Sequence, residues 1–219
     1  MSRSRVLGLI PARGGSKRLP GKNLADLHGR SLLQRAIDAG LEARGVDRLI
    51  VSTDDPAIAE AARAGGAEVP FMRPAELATD EASSLDVVRH AMAWADEVEP
   101  GAFSHLVLLQ PTSPLRTAED IDVTLRLCCD RGCSTAVSVT PVLKAETLVI
   151  GRDDTLAPAS AYGTPFALNG AVYVLKWEHA NIAGGFIAQD TAYHVMGESR
   201  SVDVDTVEDL GRAALFLKS

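Results

Sequence analysis

The feature that most constrains this chain is an alternation. Short β-rich apolar runs at residues 6–11, 49–52, 106–109 and 135–139 are separated by stretches in which apolar residues recur with helical spacing. Strands buried on both faces read as continuous apolar runs, and parallel neighbours need a crossover of a dozen or more residues. The pattern therefore predicts an α/β fold: a mostly parallel sheet with helices on both faces, in three layers. Leu33, Ile37 and Leu41 fall at i, i+4 and i+8, the spacing of one buried helix face. Asp55-Pro56 reads as an N-cap and first helical position before residues 57–64. Ser83 with Asp86, and Thr117 with Asp120, have the capping-box spacing that starts two further helices. Beyond Val139 the alternation loses regularity. Residues 142–150 and 171–175 are predicted strands, and a last helix begins at Thr206 with Val207, Leu210, Ala214 and Leu217 on one face. A mixed sheet is expected there. No repeat or linker divides the chain, so residues 1–219 are read as one domain, with a short excursion at 140–170 suited to an acceptor or dimer arm.

Charge narrows the ligand. Lys and Arg number 22 against 29 Asp and Glu, a net charge of −7, which disfavours a nucleic-acid surface. Yet residues 1–30 carry seven basic groups and one acid. A small anion bound near the start fits this asymmetry; a long polyanion would be repelled by the rest. No apolar run approaches the roughly 20 residues of a membrane span, and no apolar stretch precedes Val6 as a signal peptide would require, so a cytoplasmic protein without membrane contact is expected. Cys128, Cys129 and Cys133 are odd in number and clustered, as reduced packing cysteines are. The five histidines show no paired ligand spacing and read as packing or surface residues.

In open α/β sheets ligands collect at the carboxyl ends of the strands, so the loops after the predicted strands matter most. After the first comes Arg13-Gly14-Gly15-Ser16-Lys17-Arg18-Leu19-Pro20-Gly21-Lys22-Asn23, with three glycines and four cations in eleven residues. Glycines let backbone N–H groups turn toward an anion at close range, while Arg13, Lys17 and Lys22 can offset the roughly three to four charges of a nucleoside triphosphate. The G-x-G-x-x-G fingerprint is absent. Five residues separate Gly15 from Gly21-Lys22, where a P-loop has four, and Asn23 replaces its Ser or Thr; a kinase-like phosphotransferase fails on that spacing.

The segment from Ile10 to Asn23 closely resembles the opening signature of the acylneuraminate cytidylyltransferase family, the CMP-sialic acid synthetases and their relatives. Three later segments agree in order: Arg73-Pro74-Ala75-Glu76-Leu77-Ala78-Thr79-Asp80-Glu81-Ala82-Ser83-Ser84, Gln110-Pro111-Thr112-Ser113-Pro114-Leu115-Arg116, and Val202-Asp203-Val204-Asp205-Thr206. The resemblance implies a Rossmann-like nucleotidyltransferase fold and a CTP-dependent cytidylyltransferase that transfers CMP to an acidic acceptor and releases pyrophosphate. It implies that Arg13, Ser16 and Lys22 contact the CTP phosphates, with Ala12, Gly14, Lys17 and Asn23 around them. Arg73 and Ala82 would recognise cytosine, and Ser84 would approach the ribose. Lys22, Arg13 and Asp205 would be the catalytic set. Taken alone, Ser83 and Ser84 are also explained as helix caps, and Arg73 as a solvated loop charge.

On an extended segment, Asp203 and Asp205 project to one face, as two ligands of one hard cation must. Capping of the last helix by Asp205 or Thr206 is the alternative. The resemblance makes the pair ligands of Mg²⁺, the expected cofactor. It places Gln110, Lys144, Asn169 and Tyr173 on the acceptor side and Arg116 as an anchor, and it implies a homodimer. One departure stands out. The Arg-Gln pair that sialic acid enzymes carry before their N-G-A strand has no counterpart among residues 157–166. The acceptor is therefore expected to be a sialic-type or related 2-keto-3-deoxy sugar acid, with a small phosphonate or carboxyphosphonate as the alternative. A nucleotide-binding module without turnover is the rival from another class, against which both aspartates argue.

Overall fold

A computed structural model describes residues 5–142, 148–150, 156–159, 163–182 and 185–217. Its centre is a six-stranded sheet in the order β10-β6-β9-β5-β1-β4, formed by β1 (Arg5–Pro11), β4 (Arg48–Ser52), β5 (Phe103–Leu108), β6 (Thr135–Pro141), β9 (Phe166–Lys176) and β10 (Ala192–Val195). β1 runs parallel to both β4 and β5, and β10 parallel to β6, whereas β9 is antiparallel to the two strands it separates. The mixed sheet expected beyond Val139 is present, and one reversed strand makes it so. Two-stranded ladders join β2 (Asp26–Leu27) to β3 (Arg30–Ser31) and β7 (Leu148–Ile150) to β8 (Leu156–Pro158).

Residues of the central strands alternate between two apolar layers. Val6 and Ile10 of β1 join Leu33 and Ile37 of α1 (Leu32–Glu42), Ile58 of α2 (Pro56–Ala64) and Ile121 and Leu125 of α4 (Ala118–Arg131). Leu7 and Leu9 point the other way, into Leu85, Val88 and Met92 of α3 (Ser84–Val98) and Ala180 of α5 (Trp177–Ile182). Each such fully buried aliphatic side chain contributes roughly 1.5–3 kcal/mol relative to exposure, so the three layers follow from the alternation itself. Leu41, expected on the buried face of α1, is 51% exposed, because that face runs on through Ala39, Gly40 and Ala43 and two steps of four residues carry Leu41 off it.

Helix starts follow the side-chain chemistry. Asp55 accepts from the N–H groups of Ala57 and Ile58, and reciprocal capping boxes operate at Ser83/Asp86, Thr117/Asp120 and Thr206/Asp209. The last fixes the start of α6 (Val207–Phe216) and settles which residue caps it: Thr206, not Asp205. Of the expected apolar face of α6, Leu210 and Ala214 are half-buried and pack with buried Ala213 against Leu27, Leu32, Leu115, Val202 and Val204, while Val207, 64% exposed, and Leu217 face solvent. Cys128 and Cys133 are buried free thiols; Cys129 is exposed. No helix among the described residues is long and apolar enough to cross a membrane.

Candidate active site

Strand order reverses around β1: the chain first adds β4 on one side, then β5 on the other. Loops leaving β1 and β5 diverge there and leave a crevice at the carboxyl ends of the strands. A cavity of about 260 Å³ fills it. Its walls are Arg13, Ser16, Lys22 and Asn23 from the first loop, Arg73, Thr79, Asp80, Ala82 and Ser84 from the second, and Gln110, Pro111 and Thr112 from the third. Three segments far apart in sequence thus meet in one place.

The first loop is held from beneath. Ala12, fully buried, donates its N–H to the Ser52 carbonyl at 3.0 Å, tying the loop to the end of β4. The Gly14 N–H donates to Asp54 Oδ1 at 3.0 Å, and a Cβ at Gly14 would lie 2.6 Å from Asp55 Oδ2, so a larger residue would displace the loop. Asn23, buried, donates its side-chain amide to the Arg13 carbonyl at 2.8 Å and closes the loop on itself. The four cations do not stand unpaired. Asp205 accepts from Lys22 Nζ and Arg18 Nη2, each at 2.8 Å, while Asp80 accepts from Arg13 Nη2 at 2.5 Å and from Lys17. The protein supplies its own counter-ions to a loop whose charges would otherwise repel one another.

On the second wall, Arg73 is 6% exposed. Its Nε donates to Ser52 Oγ at 3.0 Å and its backbone N–H to the Thr53 carbonyl at 2.7 Å, which fixes the guanidinium in the cavity floor. Burial lowers its pKa to about 10, and it stays cationic at neutral pH. It is therefore not a solvated loop charge. Ser83 caps α3, which leaves Ser84 on the cavity wall.

The third wall is the one expected from the sequence to serve the acceptor. Gln110 lines the cavity, and its carbonyl accepts from Arg116 Nη1 at 2.8 Å; the same nitrogen donates to the Ala171 carbonyl at 2.8 Å. Arg116 is buried, desolvation lowers its pKa to about 9, and it joins the third loop to β9 as the expected anchor. Gly170 has φ 74° and a Cβ there would sit 2.8 Å from Gln110 Oε1, so the bare backbone lets the glutamine pack against β9. Asn169 is placed differently from expectation. It is 4% exposed, its Oδ1 accepts from Ser138 Oγ at 2.6 Å and its Nδ2 donates to Ser201 Oγ at 3.0 Å. Both ends of the amide are engaged inside the protein, so it braces β9. Tyr173 is 9% exposed and packs on Phe186 with ring centroids 4.8 Å apart; burial and the charge of Asp203 raise its phenol. Lys144 lies outside the described residues.

Val202 and Val204 are buried, which turns the intervening Asp203 and the following Asp205 outward on one side. The Val204 N–H donates to the Thr112 carbonyl at 2.7 Å, so the C-terminal carboxylates are docked on the third loop. The surrounding protein desolvates Asp203 and raises its carboxyl; Asp205 adds to the rise, while a hydrogen bond from Thr112 and the charge of Lys22 oppose it. Two carboxylates held close enough to disturb one another form a donor set that suits a hard divalent cation.

The sequence reading passed over four residues that build the site. Ser52 holds Arg73, Asp54 holds the Gly14 N–H, and Thr79 and Asp80 hold Arg13. Ser52 and Asp54 sit at the carboxyl end of β4, where the strand-end rule could have found them. Asp80 lies within a segment already marked, but its pairing with Arg13 and Lys17 joins residues more than sixty positions apart and leaves no local signal.

Known proteins resemble the chain in both sequence and shape. It is 32% identical over 217 residues to the CMP-N,N′-diacetyllegionaminic acid synthase of Legionella pneumophila, a match covering 94% of this chain and 93% of that protein. It is 32% identical over 214 residues to the N-acylneuraminate cytidylyltransferase of Escherichia coli, covering 93% of this chain and 50% of that longer protein. A solved CMP:2-keto-3-deoxy-manno-octonic acid synthetase complexed with CTP superposes with a TM-score of 0.73 at 20% identity, covering 98% of this chain and 99% of the other, and shares the fold. The family model described as cytidylyltransferase matches residues 7–150, the span that carries the first three cavity walls. By that match and by relatives 32% identical over more than nine-tenths of its length, the chain belongs to the cytidylyltransferase family, alongside the acylneuraminate enzymes its loops resemble.

Proposed function

We propose that this protein transfers CMP from CTP to a sialic-type or related 2-keto-3-deoxy sugar acid and releases pyrophosphate. The observation that carries the reading is the 2.8 Å contact between Lys22 and Asp205, residues 183 positions apart, at the mouth of a cavity walled by all three family-like loops. An acceptor oxygen attacks the α-phosphorus as the bond to the bridging oxygen of pyrophosphate breaks. Lys22 and Arg13 counter the charge gathering on the transferring phosphorus and the leaving group, which is the main source of rate when positioning and electrostatics do the work. Asn23 and the Gly14 N–H hold the loop so that these cations need not reorganise. Arg73, pinned by Ser52, faces the base pocket with Ala82, and Ser84 stands on the ribose side.

Asp203 and Asp205 would hold Mg²⁺, their paired carboxylates supplying the hard oxygen donors it takes. When bound, such an ion neutralises phosphate charge. Gln110 orients the acceptor, held in place by Arg116 and by the backbone of Gly170. The sugar-acid reading over a phosphonate is supported by the names of the relatives at 32% identity, a legionaminic acid synthase and an N-acylneuraminate cytidylyltransferase. The reading extends to one cytoplasmic catalytic domain, with the 140–170 excursion forming part of a homodimer contact. Exposed Phe166, Leu168, Tyr193 and Val195 on β9 and β10, the strands on either side of β6, are the surface for it.

The test is an acceptor screen. Purified protein with CTP, Mg²⁺ and a panel of sugar acids is expected to release pyrophosphate and form a CMP adduct detectable by mass with at least one of them. CTP binding with no pyrophosphate from any sugar acid, or turnover only with phosphonates, would sink the assignment.

A further inference from the structure

Asp80 is the odd group in this cavity: a carboxylate on the wall of a site that otherwise collects cations for an anion. It pairs with Arg13 and Lys17, two of the four cations of the first loop. Asp205 holds the other two, but as one of the paired C-terminal carboxylates it has a further part to play beside the phosphates. Asp80 has no such second part among the described residues. We propose that Asp80 is an internal competitor of the polyphosphate: it occupies Arg13 and Lys17 in the empty site, is displaced by the incoming triphosphate, and returns to expel pyrophosphate.

Three observations favour competition over simple orientation of Arg13. First, orientation does not need the carboxylate, because Arg13 Nη1 already donates to the Thr79 carbonyl at 2.6 Å. Second, the Asp80 side chain keeps 39% of its surface exposed, so its swing away from the loop breaks no buried contact. Third, Lys17 is 82% exposed and has Asp80 as its carboxylate partner, so this cation is free to trade one anion for another. Hydrogen bonds from Lys17 and then Arg13 hold the Asp80 carboxyl below the usual carboxylate range, so it remains charged throughout the neutral region. A fixed negative charge beside a bound polyphosphate repels it, and the repulsion weakens the grip on product as much as on substrate. An enzyme that must release a highly charged leaving group from four cations gains from such a device.

The inference rests on the CTP reading above, and binding rather than turnover separates the two. Calorimetric titration of CTP, pyrophosphate and cytidine, each with Mg²⁺ and without acceptor, is compared for the natural protein, Asp80→Asn and Asp80→Ala. Glu81→Gln removes a neighbouring exposed charge as a control. Both Asp80 variants are expected to bind CTP and pyrophosphate about fivefold more tightly, the size of an exposed ion pair lost to competition, with cytidine unchanged. Glu81→Gln is expected to change little. Equal or weaker binding of CTP and pyrophosphate by both Asp80 variants, with cytidine binding retained, overturns the competitor role and makes Asp80 an orienting group. An equal gain in Glu81→Gln overturns it too, reducing the effect to bulk charge. Failure of the natural protein to bind CTP at all contradicts the functional reading itself, and the competitor role falls with it.

Discussion

The wall that carries the first-loop cations is built from segments at the ends of β1 and β4, two adjacent parallel strands, whereas the third loop, at the end of β5, leans on β9, which runs against its neighbours. On the first wall, side chains are fixed by short backbone links between strand ends, such as Ala12 to Ser52 and Arg73 to Thr53. On the second, contacts are longer range and more individual: Arg116 spans from the third loop to β9, and Asn169 ties β9 to Ser138 and Ser201. The lesson is that a nucleotide site can be repeated wherever the strand ends are kept, while the acceptor side depends on single packed residues.

The comparison breaks first at Lys22. Replacement by Ala removes a cation that touches the transferring phosphate in the proposed reaction, and kcat/KM for CTP is expected to fall about 10²- to 10³-fold in a pyrophosphate assay, with folding intact. A fall below fivefold would place the chemistry elsewhere. On the acceptor wall, Gly170→Ala forces a side chain into a left-handed backbone and toward Gln110. We expect about 1–3 kcal/mol of lost stability in a denaturant melt and a rise in acceptor KM that exceeds any rise in CTP KM. If both KM values move together, the two walls are not separable.

Thr117→Ala tests whether stability can be lost with neither wall disturbed. The cap is worth about 1 kcal/mol, a fall in Tm of roughly 2–4 °C for a chain of this size, with CTP affinity unchanged by calorimetry. The smallest effect is at Asp203. Its carboxyl is raised in the folded protein, so the fold binds its proton more tightly than the unfolded chain does, and stability falls as pH rises through the folded value. Asp203→Asn is therefore expected to melt slightly higher than the natural protein at neutral pH, and the gain is expected to vanish below the ordinary carboxylate range. A lower Tm at neutral pH would show that the Thr112 hydrogen bond outweighs desolvation.

Much of the fold was readable because its local signals are chemical. Asp55, Ser83, Thr117 and Thr206 start helices through their own side-chain oxygens, and short apolar runs rich in β-branched residues between turn signals read as strands covered on both faces. Other features have no such local signature. β9 extends back to Phe166 through Ala167 and Leu168, all exposed, so burial gave no pattern to follow. β10 is four residues long with only Ala192 buried, and α5 is a six-residue helix; both depend on neighbours distant in sequence. The same division holds in the site. Arg13, Lys22 and the Asp203/Asp205 pair announce themselves by charge and spacing. Asn169 matches a motif, but only packing shows that its amide is turned inward, and Asp80 becomes visible only when Arg13 and Lys17 are seen to converge on it.

The central claim is that one nucleotide lies between the first loop and the C-terminal carboxylates, and a crystal grown with CTP and Mg²⁺ tests it most directly. The account predicts phosphate oxygens within hydrogen-bond distance of Lys22 and Arg13, cytosine beside Arg73, and the cation on Asp203 and Asp205. A nucleotide bound away from Lys22 and Asp205, or a cation held by neither aspartate, would contradict it.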